Sequence, residues 1–387
     1  MESNKKIKLL FLTGSRSDWG YVKPLLEECR KRKSILSKLC ITNMHLLDTF
    51  GLPMKEILKE GFKIDEKIYM SLDGYNEITM AKSIGVFIQS FTDTLARIKP
   101  DWLILSGDRA ETLAAAVSAA YSNHLIAHVQ AGEVSGNIDG QARHAISKFS
   151  HLHLASNVDA AVRLKKMGEE KFRIKIVGAP QLDDVIKNKK TLNNFSLTKK
   201  RYSLPENNKY IVIVYHPVTE EFDKAKKQIN SFIKNVKKIN LPKVWILPNN
   251  DAGSQIFKNQ ILENRDKLDY IFDNLPRLDY LKIIKNTKCM IGNSSSGIIE
   301  SSSFCIPVID IGRRQNKRIK AKNVIHLREN ELKKIHTVFK KISKPNFLKK
   351  IKNIKNPYSK GLSSKLIIDA IIKSNKIKNI LIKEITY

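Results

Sequence analysis

A unit recurs along the chain: a short, almost unbroken apolar run, then a polar loop, then a stretch with helical period. In the first half the runs are "KIKLLFLT" (6–13), "KLCITNMH" (38–45), "DWLILSG" (101–107), "LIAHVQ" (125–130), "HLHLAS" (151–156) and "RIKIVG" (173–178). Runs this short and this apolar suit strands that are covered on both faces. "YVKPLLEECRKR", "AETLAAAVSAAYSN" and "NVDAAVRLKKMG" lie between them and read as amphipathic helices. Strands alternating with helices predict a parallel sheet with helices on its faces.

The pattern fades over 187–207, "KNKKTLNNFSLTKKRYSLPEN", which is polar and has no strand signal, so a linker is expected there. It restarts with "YIVIVYHP", "KVWILPN", "CMIGNSS", "IPVIDIG" and "NVIHL", and helices are expected at 329–343 and 363–374. The chain therefore reads as α/β, with two Rossmann-like domains at 1–186 and 208–362. A C-terminal helix and tail, 363–387, would pack back on the first domain. A length of 387 residues fits two cores, since single cores seldom grow past about 250–300 residues.

Composition excludes several classes. No run reaches the roughly 18 apolar residues of a membrane span, and "MESNKK" does not lead into a signal-peptide core. Cys29, Cys40, Cys289 and Cys305 have neither metal-ligand nor disulfide-framework spacing, which fits reduced thiols in the cytoplasm. The formal charge is +31. Its lysines are dispersed over several clusters and no nucleic-acid motif accompanies them, so they read as solvated faces whose field gathers an anionic substrate. No nucleic-acid partner, membrane insertion, metal or cofactor is expected.

Ligands of open parallel sheets bind beyond the carboxyl ends of the strands. The residues just after each strand are therefore the chemical candidates. "TGSRSDWG" follows the first strand and brings Arg16, Asp18 and Gly20, with Gly14 and Gly20 letting the backbone turn. Its spacing is neither that of a dinucleotide fingerprint nor that of a P-loop. Asp108 and Arg109 follow the third run, and Glu133 follows the fourth. Asp139 is placed to cap the helix "GQARHAISKF", with Arg143 one turn on. Three strand ends thus offer carboxylates to one place, and crowded carboxylates beside an arginine shift one another's proton affinity. In the second half His216, Asn249 and Asp251 follow strands. "CMIGNSSSGIIESSSF" runs a strand into Ser294, Ser295 and Ser296 and then into a helix carrying Glu300. Backbone N–H groups at a helix N-terminus form an anion site, and Arg313 and Arg314 from "IDIGRRQ" suit a diphosphate.

In their order and spacing, "TGSRSDWG", "SGDRAET", "AGEVSGNIDGQARHAISKFSHLHLAS", "YHPVT", "PNNDAGS", "IGNSSSGIIE" and "PVIDIGRRQ" resemble the hydrolysing UDP-N-acetylglucosamine 2-epimerases, from about residue 8 to 330. The resemblance implies the two-domain GT-B fold with the active site in the interdomain cleft, and a nucleotide-sugar substrate. It also implies a cytoplasmic homo-oligomer, dimer or tetramer, serving sialic or legionaminic acid biosynthesis. Ser294, Ser295 and Arg314 would hold the diphosphate and Glu300 the ribose. Asn249 and Leu275 would lie on the uracil side, and Arg16 and Arg109 near the phosphates and sugar. Asp108, Glu133, Asp139, Arg143 and His216 match the catalytic cluster, with Asp108 and Glu133 handling protons and Asp139 supporting them or activating water. The implied reaction removes the sugar C2 proton with loss of the nucleotide diphosphate, then hydrates a 2-acetamidoglucal. Two departures are visible: Trp19 where the family has Tyr, and Ala131 where Gly is usual. Both would lie near the sugar, leaving N-acetylglucosamine and di-N-acetylbacillosamine, and UDP and GDP, open. A glycosyltransferase of the same fold is the alternative.

Overall fold

A computed structural model describes residues 6–50, 53–73 and 76–386. The strands are β1 (Ile7–Thr13), β2 (Ile35–Thr42), β3 (Glu66–Ile68), β4 (Trp102–Ser106), β5 (Leu125–Val129), β6 (Leu152–Ala155), β7 (Ile174–Ile176), β8 (Ile211–Val214), β9 (Lys243–Ile246), β10 (Asp269–Phe272), β11 (Cys289–Gly292), β12 (Val308–Ile311) and β13 (Val324–Leu327). They form two sheets, ordered β3-β2-β1-β4-β5-β6-β7 and β10-β9-β8-β11-β12-β13. Every pairing is parallel. Two parallel sheets with helices alternating between their strands are the GT-B-like arrangement.

Period-2 geometry explains why the central strands are continuously apolar. On β1, Leu9 and Phe11 join a core with Val22, Leu25 and Leu26 of the helix Arg16–Cys29. Leu10 and Leu12 point the other way, into a core with Phe87, Phe91 and Leu95. β8 divides likewise, with Ile211 and Ile213 against Ile229 and Phe232, and Val212 and Val214 against Ile283 and Ile284.

The sheet order reverses at β1/β4 and at β8/β11, where adjacent crossovers leave in opposite directions and open a crevice at the strand ends. Gly292 is required at the second of these points. Its φ is +143° and a Cβ there would stand 2.0 Å from the Val214 carbonyl oxygen. Asn293 then staples the strand ends, accepting the His216 N–H at 2.8 Å and donating to the His216 carbonyl at 2.8 Å.

The sequence reading misses β3 and β10, two short edge strands. It also treats 187–207 as a linker, whereas Lys189–Asn193 and Ser196–Arg201 are helical. That segment is docked: Thr198 and Tyr202 donate to Asp279 at 2.8 and 2.9 Å. The chain returns to the first sheet through Tyr358, whose carbonyl accepts the Ala179 N–H at 2.9 Å. Asp183 then accepts the N–H groups of Ser363 and Ser364, both at 2.8 Å, at the start of the helix Ser363–Ser374. Ile367, Ile368 and Ile371 of that helix are fully buried in the core of the first sheet. Among the described residues no helix is long and apolar enough to cross a membrane.

The closing helix should therefore contribute to the first core rather than decorate it. Ile368→Ala is expected to cost about 2–5 kcal/mol through lost burial and the cavity left behind. Leu366→Ala, at a position 40% exposed, should stay within about 0.5 kcal/mol. Urea unfolding of both variants checks the contrast.

Candidate active site

The carboxyl ends of both sheets face one cavity of about 220 Å³. Arg16, Asp18, Asp108, Arg109, Asp139, Arg143, His216, Asn249, Leu275, Ser294, Ser295, Glu300 and Arg314 all line it. Gly20 and Glu133 do not. The segment read as a turn around Gly20 is the first part of the helix Arg16–Cys29, which Ser15 begins by accepting the Asp18 N–H. Gly20 is thus helical, and a Cβ there would lie 3.7 Å from the Arg277 guanidinium.

Asp108 leaves β4 on the loop before the helix Ala110–Tyr121 and accepts from Ser135 Oγ at 2.9 Å and from Arg143 Nη2. Arg143 is 1% exposed, and its Nη1 donates to the Gln130 carbonyl at 3.0 Å. Burial alone would raise the Asp108 proton affinity, but the charges of Arg143 and Arg318 together with the Ser135 bond outweigh it and leave the pKa lowered. Asp139 goes the other way. Burial, with Asp108 and Asp251 nearby, pushes it up to about 7 against the opposing charge of Arg314, whose Nη2 is 3.7 Å away. Asp139 is not the helix cap expected of it: Asn137 holds that place and donates to the Asp139 carboxylate at 2.8 Å. One cavity thus holds a carboxylate that stays ionised and another poised to carry a proton near neutrality.

Glu133 is buried behind this pair, accepting from Asn157 Nδ2 at 2.6 Å, and burial raises its pKa against the charges of Arg318 and Arg143. Asp18 is pushed up to about 7 by burial and by Glu111 and Asp108, against Arg109. His216 is lowered to about 3 by burial and by Arg314, so its imidazole is neutral at pH 7. Arg109 crosses the cleft, donating to Glu111 at 3.0 Å, to Asn250 at 2.9 Å and to Asp251 at 3.3 Å. Asn249 donates to Asp251 at 2.7 Å. Ser294 and Ser295 precede the helix Ser296–Ser303, with Glu300 on its second turn. Arg313 instead turns to the rim, near Glu220 and Glu221.

Sequence reasoning missed two cavity arginines. Arg318 donates to the Val134 carbonyl at 2.8 Å, and Arg277 pairs with Glu300 at 2.9 Å. Neither directly follows a strand, so the strand-end rule passes over them. Trp19 lines the cavity, but its indole N–H is committed to Glu60 at 3.0 Å. Ala131 does not face the sugar space; it is buried among Ala155, Ala160 and Leu164.

Residues 27–372 of this chain match one family model, described as UDP-N-acetylglucosamine 2-epimerase. The chain belongs to this family. The UDP-N,N'-diacetylbacillosamine 2-epimerase (hydrolyzing) of Legionella pneumophila is 35% identical over 319 residues, 82% of this chain and 84% of its own. The UDP-N-acetylglucosamine 2-epimerase of Neisseria meningitidis serogroup B is 34% identical over 319 residues, 82% of this chain and 83% of its own. The crystal structure of UDP-GlcNAc 2-epimerase from Neisseria meningitidis bound to UDP-GlcNAc superposes with a TM-score of 0.79 at 20% identity, covering 95% of this chain and all (100%) of that one. That likeness shows the shared epimerase fold.

The raised acids carry a stability signature. Asp18 holds its proton in the folded state up to about pH 7, whereas its ordinary value is 3.8. Its contribution therefore favours folding below about pH 4 and is lost as pH rises through 7. Asp18→Asn should consequently raise the melting temperature relative to the parent more at pH 8.5 than at pH 5. Thermal melts of both proteins across that range test it, and a pH-independent difference would count against the buried proton.

Proposed function

We propose that the protein is a hydrolysing nucleotide-sugar 2-epimerase. It would take a UDP-linked 2-acetamido sugar, of the N-acetylglucosamine or di-N-acetylbacillosamine type, to the free 2-epimer and UDP. Such a product would feed sialic or legionaminic acid biosynthesis. The observation that carries this reading is the pairing, in one cavity, of ionised Asp108 with Asp139 near pKa 7, opposite the Ser294–Ser295 turn and Arg314. UDP is the nucleotide favoured, because it stands in the names of both curated relatives and in that of the UDP-GlcNAc complex. The hydrolysing mode follows the name of the Legionella relative.

In this reading the diphosphate lies at the N-terminal end of the helix Ser296–Ser303, where backbone N–H groups and the helix dipole favour an anion. The Arg314 Nε is buried with no hydrogen-bond partner among the described residues, a donor left over for such an anion. Asp108 takes the C2 proton. The C1–O bond breaks with its electron pair going to the diphosphate, and a C1=C2 bond forms. Arg314 stabilises the leaving charge, and neutral His216 can add a hydrogen bond but no charge. Water then adds its hydroxyl at C1, and C2 regains a proton on the opposite face. Asp139 handles a proton in this second half because it can carry one near pH 7. Glu133 acts at one remove, since Arg143 and Arg318 serve both it and Asp108 as counter-charges.

Asp108→Asn and Asp139→Asn should each lower kcat by a factor on the order of 10²–10⁴, as for lost acid–base groups, with UDP affinity little changed. Glu133→Gln, outside the cavity, should cost less. Incubation with UDP- and GDP-linked amino sugars, followed by NMR in deuterated water, should show free mannose-configured sugar deuterated at C2 together with free UDP. A product still carrying its nucleotide would overturn the hydrolysing mode, and unlabelled C2 would overturn the proton-transfer route.

A further inference from the structure

One heavily engaged side chain lining the cavity has been given no role. Arg277 stands at the start of the helix Arg277–Lys285 in the second half, with its side chain 13% exposed. Its Nη1 is 2.9 Å from Glu300 Oε1 and its Nε 3.4 Å from Asp184 Oδ2. Its Nη2 donates to the Gln181 carbonyl at 2.9 Å, and its backbone N–H donates to Glu56 at 3.2 Å. The guanidinium fork is thus divided between Glu300 and the 181–184 segment that follows the first sheet. Each of the three guanidinium nitrogens is thus held by a protein group, which fixes the plane of the fork on Glu300.

We propose that Arg277 is a positioning residue for nucleoside recognition: it orients the Glu300 carboxylate to accept both ribose hydroxyls, and ties that acid to the 181–184 segment. The proposal rests on Glu300 being the ribose-binding acid. Physical chemistry requires some such partner. Glu300 is 5% exposed, and a buried polar group needs a hydrogen-bond partner that fixes its orientation as well as satisfying it. With Arg277 on one oxygen, lone pairs remain for two hydroxyl donors. A lysine could supply the charge but not the fork.

Calorimetry with UDP and 2′-deoxy-UDP on the full-length parent, Arg277→Met, Arg277→Lys and Glu300→Gln separates the possibilities. The parent should prefer UDP by about 10-fold, the scale of one hydrogen bond to a charged group. Arg277→Met should weaken UDP by roughly 10- to 100-fold and bring the UDP/2′-deoxy-UDP ratio close to one, with Arg277→Lys intermediate. If Arg277→Met fails to fold, the Lys variant alone carries the test. A variant that keeps the parent ratio, whatever its melting temperature, overturns the positioning role, and so does one that weakens both ligands equally, as a phosphate contact would. Loss of the ratio in Glu300→Gln but not in the Arg277 variants overturns this inference alone. An unchanged ratio in Glu300→Gln overturns the ribose assignment beneath it.

Discussion

The site depends on one close approach of two backbones. The Gly136 N–H donates to the Arg314 carbonyl at 2.9 Å, and the Arg313 guanidinium donates back to the Gly136 carbonyl. Only glycine permits this, because a Cβ at 136 would stand 1.9 Å from the Arg313 carbonyl oxygen. The approach brings Arg314 toward Asp139 and seats Arg318 on Val134. Asp108, Glu133 and Asp139 belong to the first half, while Arg314 and Arg318 come from the second. Buried carboxylates without counter-charges are strongly destabilising. The closed cleft is therefore the condition under which these acids can be both buried and partly ionised.

Closure also separates the acids from one another. Arg143 lies on the same half as Asp108 and bonds to it directly, so Asp108 draws a counter-charge from its own half. Asp139 has its Asn137 bond and the more distant charges of Arg314 and Arg109 against burial and two like charges. Two aspartates of equal intrinsic acidity thereby acquire different proton affinities, as acid–base work on opposite faces of a ring requires.

Most of the central architecture was legible because buried parallel strands must be apolar on both faces: β8 and β11 are unbroken apolar runs, and β1, β4 and β5 are broken only by Lys8, Ser106, His128 and the terminal Thr13. β3 and β10 escaped because an edge strand needs no such run. The helices of 187–207 escaped because their polar residues bond to Asp279 rather than repeating an apolar stripe. Of the thirteen site residues that line the cavity, twelve were picked from strand ends, since strand ends and cavity are the same place in this topology, and Leu275 came through the resemblance. Arg277 and Arg318 reach it from a helix start and from a loop several residues beyond β12. Their role depends on how the halves meet, which no local pattern encodes.

The two departures from the family pattern have different physical meanings. Ala131 follows Gln130, whose φ of +62° puts a buried, non-glycine residue in the left-handed region, at a cost of about 1–2 kcal/mol. The strain is held by Arg143, which bonds the Gln130 carbonyl, while Ala131 fills space among Ala155, Ala160 and Leu164 behind the site. Ala131 therefore acts on packing and has no direct access to the substrate. Trp19 does reach the cavity, but its N–H is spent on Glu60 and its ring packs edge-on against Phe62. What Trp19 can present is apolar surface alone. A sugar hydroxyl pressed against that wall would lose its water and gain no partner, whereas a methyl group would lose nothing. Discrimination between a hydroxylated sugar and a deoxygenated one should therefore be sought at residue 19, and not at the shortened glycine pair after β5.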